Sequence, residues 1–168
     1  MKFVGEMIGA VAIVVSALIY QQKSRNNLIM FKAASDALWI AHYLCLGAFT
    51  GAAVTGVALV REVVFFKSRP EDKKGKWTLF IFMGISILCT FLTWKSVFSI
   101  LALLGSLISI ISFWMGKPKL SRILAFPVAV CMLIYGVSNG SIMVLVNEIL
   151  VLISSAIGVV RYDRKKIK

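Results

Sequence analysis

A base, an acid, an imidazole and two aromatic rings follow one another within about three helical turns of an otherwise apolar stretch. They are Lys32, Asp36, Trp39, His42 and Tyr43. All but the histidine follow i, i+4, i+7, i+11 spacing, which places them on one stripe of a helix, with the histidine on an adjoining face. Aromatic rings can stack on a small solute, and an imidazole or a carboxylate can carry a proton. The last four residues are therefore candidates for solute binding or proton coupling.

A second polar pair, Asn147-Glu148, interrupts the last apolar stretch. Counting 1.5 Å per residue from its nearer end places Glu148 roughly 9 Å deep, about the depth estimated for His42. If both stretches face one central cavity, His42 and Glu148 meet across it and form a pair whose charge responds to pH. The alternatives are a static hydrogen bond, or a Glu148 near enough to the interface to reach lipid headgroups. Asn147 and Glu148 join the candidate solute or proton site.

A third group of charges lies in the neighbouring stretch, where Arg61 precedes Glu62. Ionisable side chains at membrane depth are costly, so each needs a partner, a cavity or a place near the interface. Asp36 has two candidate cations, Lys32 one turn away and Arg61 on the next helix. Lys32, Arg61 and Glu62 are therefore candidates for structural ion pairs that fix packing, against a role of Asp36 in solute or proton binding.

The elements that carry these residues follow from composition. The chain has 168 residues, 60% of them hydrophobic and 15% charged, with a mean hydropathy of +0.90. A water-soluble domain of this size cannot bury so much apolar surface, so the composition predicts an all-α integral membrane protein. The net charge of +12 comes from basic residues in short gaps between apolar runs, which argues against nucleic acid as a partner.

Seven apolar segments are long enough to be predicted as transmembrane helices. Their continuous apolarity, without period-two alternation, favours helices over a barrel. The basic residues set the orientation: gaps on one side and the tail hold 14 Lys and Arg, whereas the other side holds only Lys2 and Lys95. By the positive-inside rule the N-terminus lies outside and the C-terminus inside. The segments are 3–20, 28–48, 51–66, 77–94, 97–115, 120–138 and 142–160.

The gaps repeat within this single transmembrane domain, 1–168. In residues 1–69 and again in 97–168, a basic loop joins the first two helices and an uncharged turn, 49–51 or 138–141, joins the last two. The fourth segment, 77–94, is a linker helix whose terminal tryptophans are spaced as interfacial anchors. An odd helix between two three-helix units makes them parallel, which predicts a 3+1+3 plan like that of SWEET-type carriers.

Other chemistry is weakly represented. Cys45, Cys89 and Cys131 lie inside apolar runs without metal-site spacing, so we expect free thiols and neither a disulfide nor a metal. His42 is the single histidine, and no Gly-rich phosphate loop or nucleophile with a visible base is present. We therefore expect no enzyme activity and no cofactor.

Residues 16–66 carry a family resemblance. The elements are YQQKSR at 20–25, D-x-x-W-x-x-HY at 36–43, LGAFTGA at 46–52, and Arg61. This combination resembles the bacterial inner-membrane YgjV family. The resemblance implies a multi-pass protein of the inner membrane, with a layout similar to SWEET, PQ-loop and PnuC-like proteins. It implies no activity, and Tyr20-Gln21-Gln22 stands where PQ-loop proteins have a Pro-Gln pair.

Two functions follow as expectations. The first is a carrier-like protein that binds or transports a small polar solute in a midplane cavity. The second is a non-transporting receptor or assembly partner whose intramembrane polar residues serve helix packing. The expected partners are the lipid bilayer, a small polar solute and anionic lipid at the basic cytosolic loops. Assembly into a homo-oligomer is left open.

Overall fold

The computed structural model describes residues 2–45, 49–67, 73–92, 94, 97–138 and 142–163. Within these ranges the chain forms seven α-helices and a final π-helical turn, and no strand. The all-helical prediction is thus confirmed for the described residues. The helices are α1 (Lys2–Ile19), α2 (Arg25–Cys45), α3 (Phe49–Lys67), α4 (Lys73–Leu92), α5 (Ser99–Met115), α6 (Pro118–Ser138) and α7 (Ile142–Gly158), followed by the π-helical turn Val159–Asp163.

Some helices begin or end at residues other than those predicted, because polar residues that flank an apolar run can still join the helix. Residues 49–51, predicted as a turn, instead open α3, so that prediction is wrong. Pro118 begins α6 because a first helical residue needs no backbone N–H. Gly116 ends α5 with a φ of 57°, a conformation that side chains with a Cβ avoid. Trp94 lies beyond the end of α4, and residues 139–141 of the other predicted turn lie outside the described ranges.

Packing follows chain order in two groups. α1 packs on α2 and α2 on α3, and in the same way α5 packs on α6 and α6 on α7. The groups touch where α1 meets α7 and α3 meets α5, while α4 packs mainly on α5 and only lightly on α3.

The buried apolar core lies toward one end of this bundle. At that end α1 finishes and α2 begins, and we call it the Tyr20 end. Phe65, near the end of α3, is fully buried and meets Phe82 of α4 edge-on, with ring centroids 5.7 Å apart. The other core residues are Ile19, Tyr20, Leu28, Ile29, Ile110, Phe113, Ala125 and Val151.

The outer surface is strongly apolar. Phe3, Met7, Val11 and Val14 form one exposed stripe along α1, and Trp77 and Leu92 of α4 are more than two-thirds exposed. Such stripes exceed the apolar patches that a protein surrounded by water tolerates. By length and composition two helical spans could cross a membrane, Pro118–Tyr135 and Val144–Asp163, and three shorter apolar helices accompany them: Phe3–Ile19, Lys76–Leu92 and Ser99–Met115.

Candidate functional site

Lys32 is the cation around which the buried charges gather. Its ammonium group forms an ion pair with Asp36, one turn along α2, and lies 4.0 Å from Oε1 of Glu62 on α3. It also lies 5.8 Å from the ring centroid of Phe113 on α5, within the range of a cation–π contact. One side chain of α2 thereby contacts α3 and α5 as well as its own helix.

Arg61 and Glu62 form a closed pair on α3. Nε and Nη2 of Arg61 each donate a 2.9 Å hydrogen bond to one carboxylate oxygen of Glu62. Both residues are buried, Glu62 completely. Arg61 also interacts electrostatically with Asp36. Of the two cations predicted as candidate partners of Asp36, Lys32 is therefore the direct partner, whereas Arg61 donates its hydrogen bonds to Glu62.

Glu148 brings α7 into the same charge system. Nδ2 of Asn147 donates a 3.1 Å hydrogen bond to Glu148, and Lys32 is the cation that interacts electrostatically with its carboxylate. We refer to Lys32, Asp36, Arg61, Glu62 and Glu148 as the charged cluster.

The charged cluster holds three acidic and two basic residues, and buried oxygen atoms in it and beside it lack a hydrogen-bond partner. Within the described ranges, Oδ2 of Asp36 and Oδ1 of Asn147 are buried without a hydrogen-bond partner. The same holds for Oγ of Ser155, two turns from Glu148 on the same face of α7. Buried oxygen atoms without partners are costly, and a bound molecule with N–H or O–H groups would satisfy them.

His42 and Trp39 contact α1. Nδ1 of His42 lies 2.7 Å from the carbonyl oxygen of Gly5, and its ring lies against Gly9. Trp39 meets His42 edge-on at 5.3 Å and donates a 3.4 Å hydrogen bond to Ser16. The expected meeting of His42 and Glu148 across a cavity stays a prediction; the contacts above join His42 to α1 and Glu148 to Asn147. The side chain of Tyr43 lies outside the described part of the chain.

The sequence of the chain matches a family model over nearly its full length. That model, Imp-YgjV, is described as a bacterial inner membrane protein, and the match spans residues 3–166.

The chain belongs to the Imp-YgjV family.

This confirms the family predicted from residues 16–66 and extends the match across nearly the full length. It also supports an inner-membrane location, as the family description states. No curated protein and no solved structure matches the chain.

In this Imp-YgjV chain, Arg122 is a buried residue that the sequence interpretation did not select. Its side chain is 2% exposed. Nε donates to the carbonyl oxygen of Tyr20 over 2.7 Å, and Nη2 donates to that of Gln22 over 2.6 Å. Nη1 donates to both carboxylate oxygens of Asp163, over 3.1 and 3.2 Å. A charged residue inside the predicted segment 120–138 was the available signal, by the same membrane-depth rule that selected Asp36.

Two further contacts hold the Tyr20 end of the Imp-YgjV bundle together. Nε2 of Gln21 donates to the carbonyl oxygen of Ser154 over 2.7 Å and to its hydroxyl over 3.0 Å. Nη2 of Arg25 donates to the carbonyl oxygen of Phe65 over 2.5 Å, and the arginine side chain lies against Gly116. The connection between α1 and α2 is thus tied to α3, α5, α6 and α7.

Proposed function

We propose that all seven helices cross the bacterial inner membrane as a multi-pass bundle, with the N-terminus outside and the C-terminus inside. Residues 1–69 and 97–168 are two parallel three-helix units, and 77–94 is the linker helix between them. Three observations support this plan: the unequal distribution of basic residues, the chain-order packing within each group, and the light packing of α4 on α3.

Within this bundle the protein is a carrier-like binding protein for a small polar solute. The observation that carries the proposal is the position of Lys32. This α2 residue contacts Phe113 of α5 and interacts with Glu148 of α7, so the charged cluster lies at the junction of the two proposed units. Transporters built from repeats bind their substrates at such a junction, near the middle of the membrane.

The buried oxygen atoms without hydrogen-bond partners indicate which polar groups the solute carries. Asp36 and Asn147 offer acceptors on opposite helices, so the solute carries N–H or O–H donors. A carboxylate of the charged cluster, or His42, is the proton carrier if transport is proton-coupled. The proposed site includes Trp39, His42 and Tyr43 of α2 as its aromatic members. The proposal includes no catalytic step and no cofactor.

A binding screen followed by flux tests this function. The thermal unfolding of purified protein is measured with neutral, cationic and anionic small polar solutes. A ligand at 100 times its Kd stabilises the folded state by about 2.7 kcal/mol, which raises the melting temperature. A solute that stabilises the parent is then tested in proteoliposomes with D36N, E148Q and H42A. We expect D36N and E148Q to abolish both stabilisation and flux. The exposed Glu6 provides the matched control, E6Q, which retains both. Equal flux in all variants contradicts the site.

A second function is favoured by a different observation. Arg61 and Glu62 satisfy each other, and His42 packs on Gly5 and Gly9, so these polar groups stabilise helix contacts without any solute. In a receptor or assembly partner that would be their whole role. Anionic lipid or a protein would then bind the basic cytosolic loops, or copies of the chain would form a homo-oligomer. Co-purification of a stoichiometric partner, with no stabilising solute in the screen, supports this alternative.

A further inference from the structure

Two arginines at the Tyr20 end make reciprocal contacts between the two proposed units. Arg25 begins α2; it donates to Phe65 of α3, in its own unit, and lies against Gly116, the turn between α5 and α6. Arg122 lies near the start of α6. It binds Asp163, after α7 in its own unit, and the carbonyl oxygens of the turn between α1 and α2. Each arginine therefore connects the third helix of its own unit to the turn between the first two helices of the other unit.

Glycines make room for both arginines. At Gly116 an added Cβ would collide with the side chain of Arg25. At Gly158 it would lie 2.8 Å from Cδ of Arg122 and 2.7 Å from the carbonyl oxygen of Tyr20. The close approach of each side chain to the opposing backbone thus depends on a residue without a Cβ.

These contacts close one end of the bundle. The buried apolar core lies at the same end, and Gln21 joins the α1–α2 turn to Ser154 of α7. Asp36 of the charged cluster lies deeper, because eleven residues of helix place it about 16 Å from Arg25. A solute bound there is separated from the nearer membrane face by the arginine contacts and the core beneath them.

We propose that Arg25 and Arg122 form a reversible seal that closes the cytosolic path to the charged cluster. The seal rests on the proposed orientation and carrier function. Most of its acceptors are main-chain carbonyl oxygens, and a hydrogen bond to a carbonyl exchanges for one to water at small net cost when the end opens. Each arginine contacts the turn between two helices of the other unit. Breaking one arginine contact therefore also moves the turn next to which the other arginine lies.

Thiol accessibility tests the seal without a known solute. The test uses the full-length protein with Cys45, Cys89 and Cys131 replaced by alanine. In this background Ser155→Cys places a thiol at a fully buried position of α7, about one helical turn farther from the Tyr20 end than Gly158. Inside-out vesicles are treated with a membrane-impermeant maleimide. Asn26→Cys, exposed at the Tyr20 end, reports cytosolic access, and Ser138→Cys, exposed at the opposite end of α6, reports access from the other side.

We expect the Ser155→Cys thiol to react slowly in the parent and about tenfold faster or more after R122Q, which removes charged hydrogen bonds. D163N, which removes one partner of Arg122, gives a smaller increase. R161Q is the matched control, because Arg161, like Arg122, lies over the ring of Tyr162 but is exposed; it leaves the rate unchanged. A cross-linked Gln21→Cys/Ser154→Cys pair restores slow labelling to R122Q.

Three results overturn the seal. The first is labelling of Ser155→Cys in the parent as fast as that of Asn26→Cys, and the second is an unchanged rate in R122Q. The third is an equal rise at Ala129→Cys, fully buried elsewhere on α6, which shows that Arg122 only stabilises the fold. Labelling of Ser138→Cys in inside-out vesicles contradicts the orientation instead. Loss of flux in D36N and E148Q is read separately, so failure of the carrier function and failure of the seal are distinguishable.

Discussion

The imidazole of His42 occupies the space that Gly9 leaves on α1. Nδ1 lies 2.7 Å from the carbonyl oxygen of Gly5, and a Cβ at Gly9 would lie 2.7 Å from the same nitrogen atom. The side chain is 3% exposed. Its first role is therefore to hold α1 close to α2, whatever further part it takes in proton movement.

Gly9→Ala should destabilise the protein by about 1–3 kcal/mol, the cost of forcing a methyl group into a packed contact. The penalty should disappear when the substitution is made in H42A, because the ring it collides with is then absent. Thermal unfolding of detergent-purified protein measures both. Gly56→Ala is the control, since an added Cβ there meets nothing within 4 Å. A full penalty in H42A would contradict the contact.

Arg61→Met and Glu62→Met should each cost about 3–5 kcal/mol, because each leaves a buried charge without its hydrogen-bonded partner. The double variant should cost less than the sum, since no uncompensated charge of this pair remains. Denaturation of the four proteins by increasing fractions of SDS provides the comparison. Additive penalties would show that the two side chains act independently, against the 2.9 Å contacts between them.

Gly116→Ala should behave differently from Gly9→Ala. Its φ of 57° costs an L-residue about 1–2 kcal/mol, and its Cβ collides with Arg25. In R25A only the collision is relieved, so part of the penalty should remain. Melting temperatures of G116A, R25A and the double variant separate the two contributions. Complete relief in the double variant would argue against the left-handed backbone.

Ser16→Ala should cost more than Ser35→Ala. The Ser16 hydroxyl lies 2.7 Å from that of Ser35, accepts from Trp39 and donates to the carbonyl oxygen of Ala12 over 2.9 Å. Removing it takes a partner from a buried hydroxyl, about 1–3 kcal/mol, whereas S35A leaves Ser16 bound to Ala12 and costs about 0.5–1.5 kcal/mol. The same thermal assay ranks the two, and the reverse order would contradict this network.

The sequence predicted the helices and the local ion pair because both depend on nearby residues. Continuous apolar runs locate seven helices, and i, i+4 spacing joins Lys32 to Asp36. The contact of Lys32 with Phe113 could not be predicted, because it depends on how α2 and α5 pack. Arg61 is the second cation predicted as a candidate partner of Asp36, but the adjacent carboxylate of Glu62 accepts two hydrogen bonds from it.

The arginine contacts have a further reason for escaping prediction. The acceptors that Arg122 binds at Tyr20 and Gln22 are carbonyl oxygens, which every residue possesses, so no pair of side-chain types marks the interaction. Spacing rules identify partners within one helix, and charge rules identify single buried ions. Neither finds a side chain bound to the backbone of a turn about 100 residues away.

Because one partner in this contact is a side chain and the other is the backbone, the two sides differ in how far their sequence can change. At positions 20 and 22 substitutions leave the bound oxygen atoms in place, whereas position 122 must keep a forked cation and position 158 must stay without a Cβ. This contact by itself therefore restricts positions 122 and 158, while Tyr20 is restricted by its place in the buried core. Related chains that keep the arginine and the glycine, whatever residue stands at position 22, would carry the evolutionary signature of a backbone held from across the bundle.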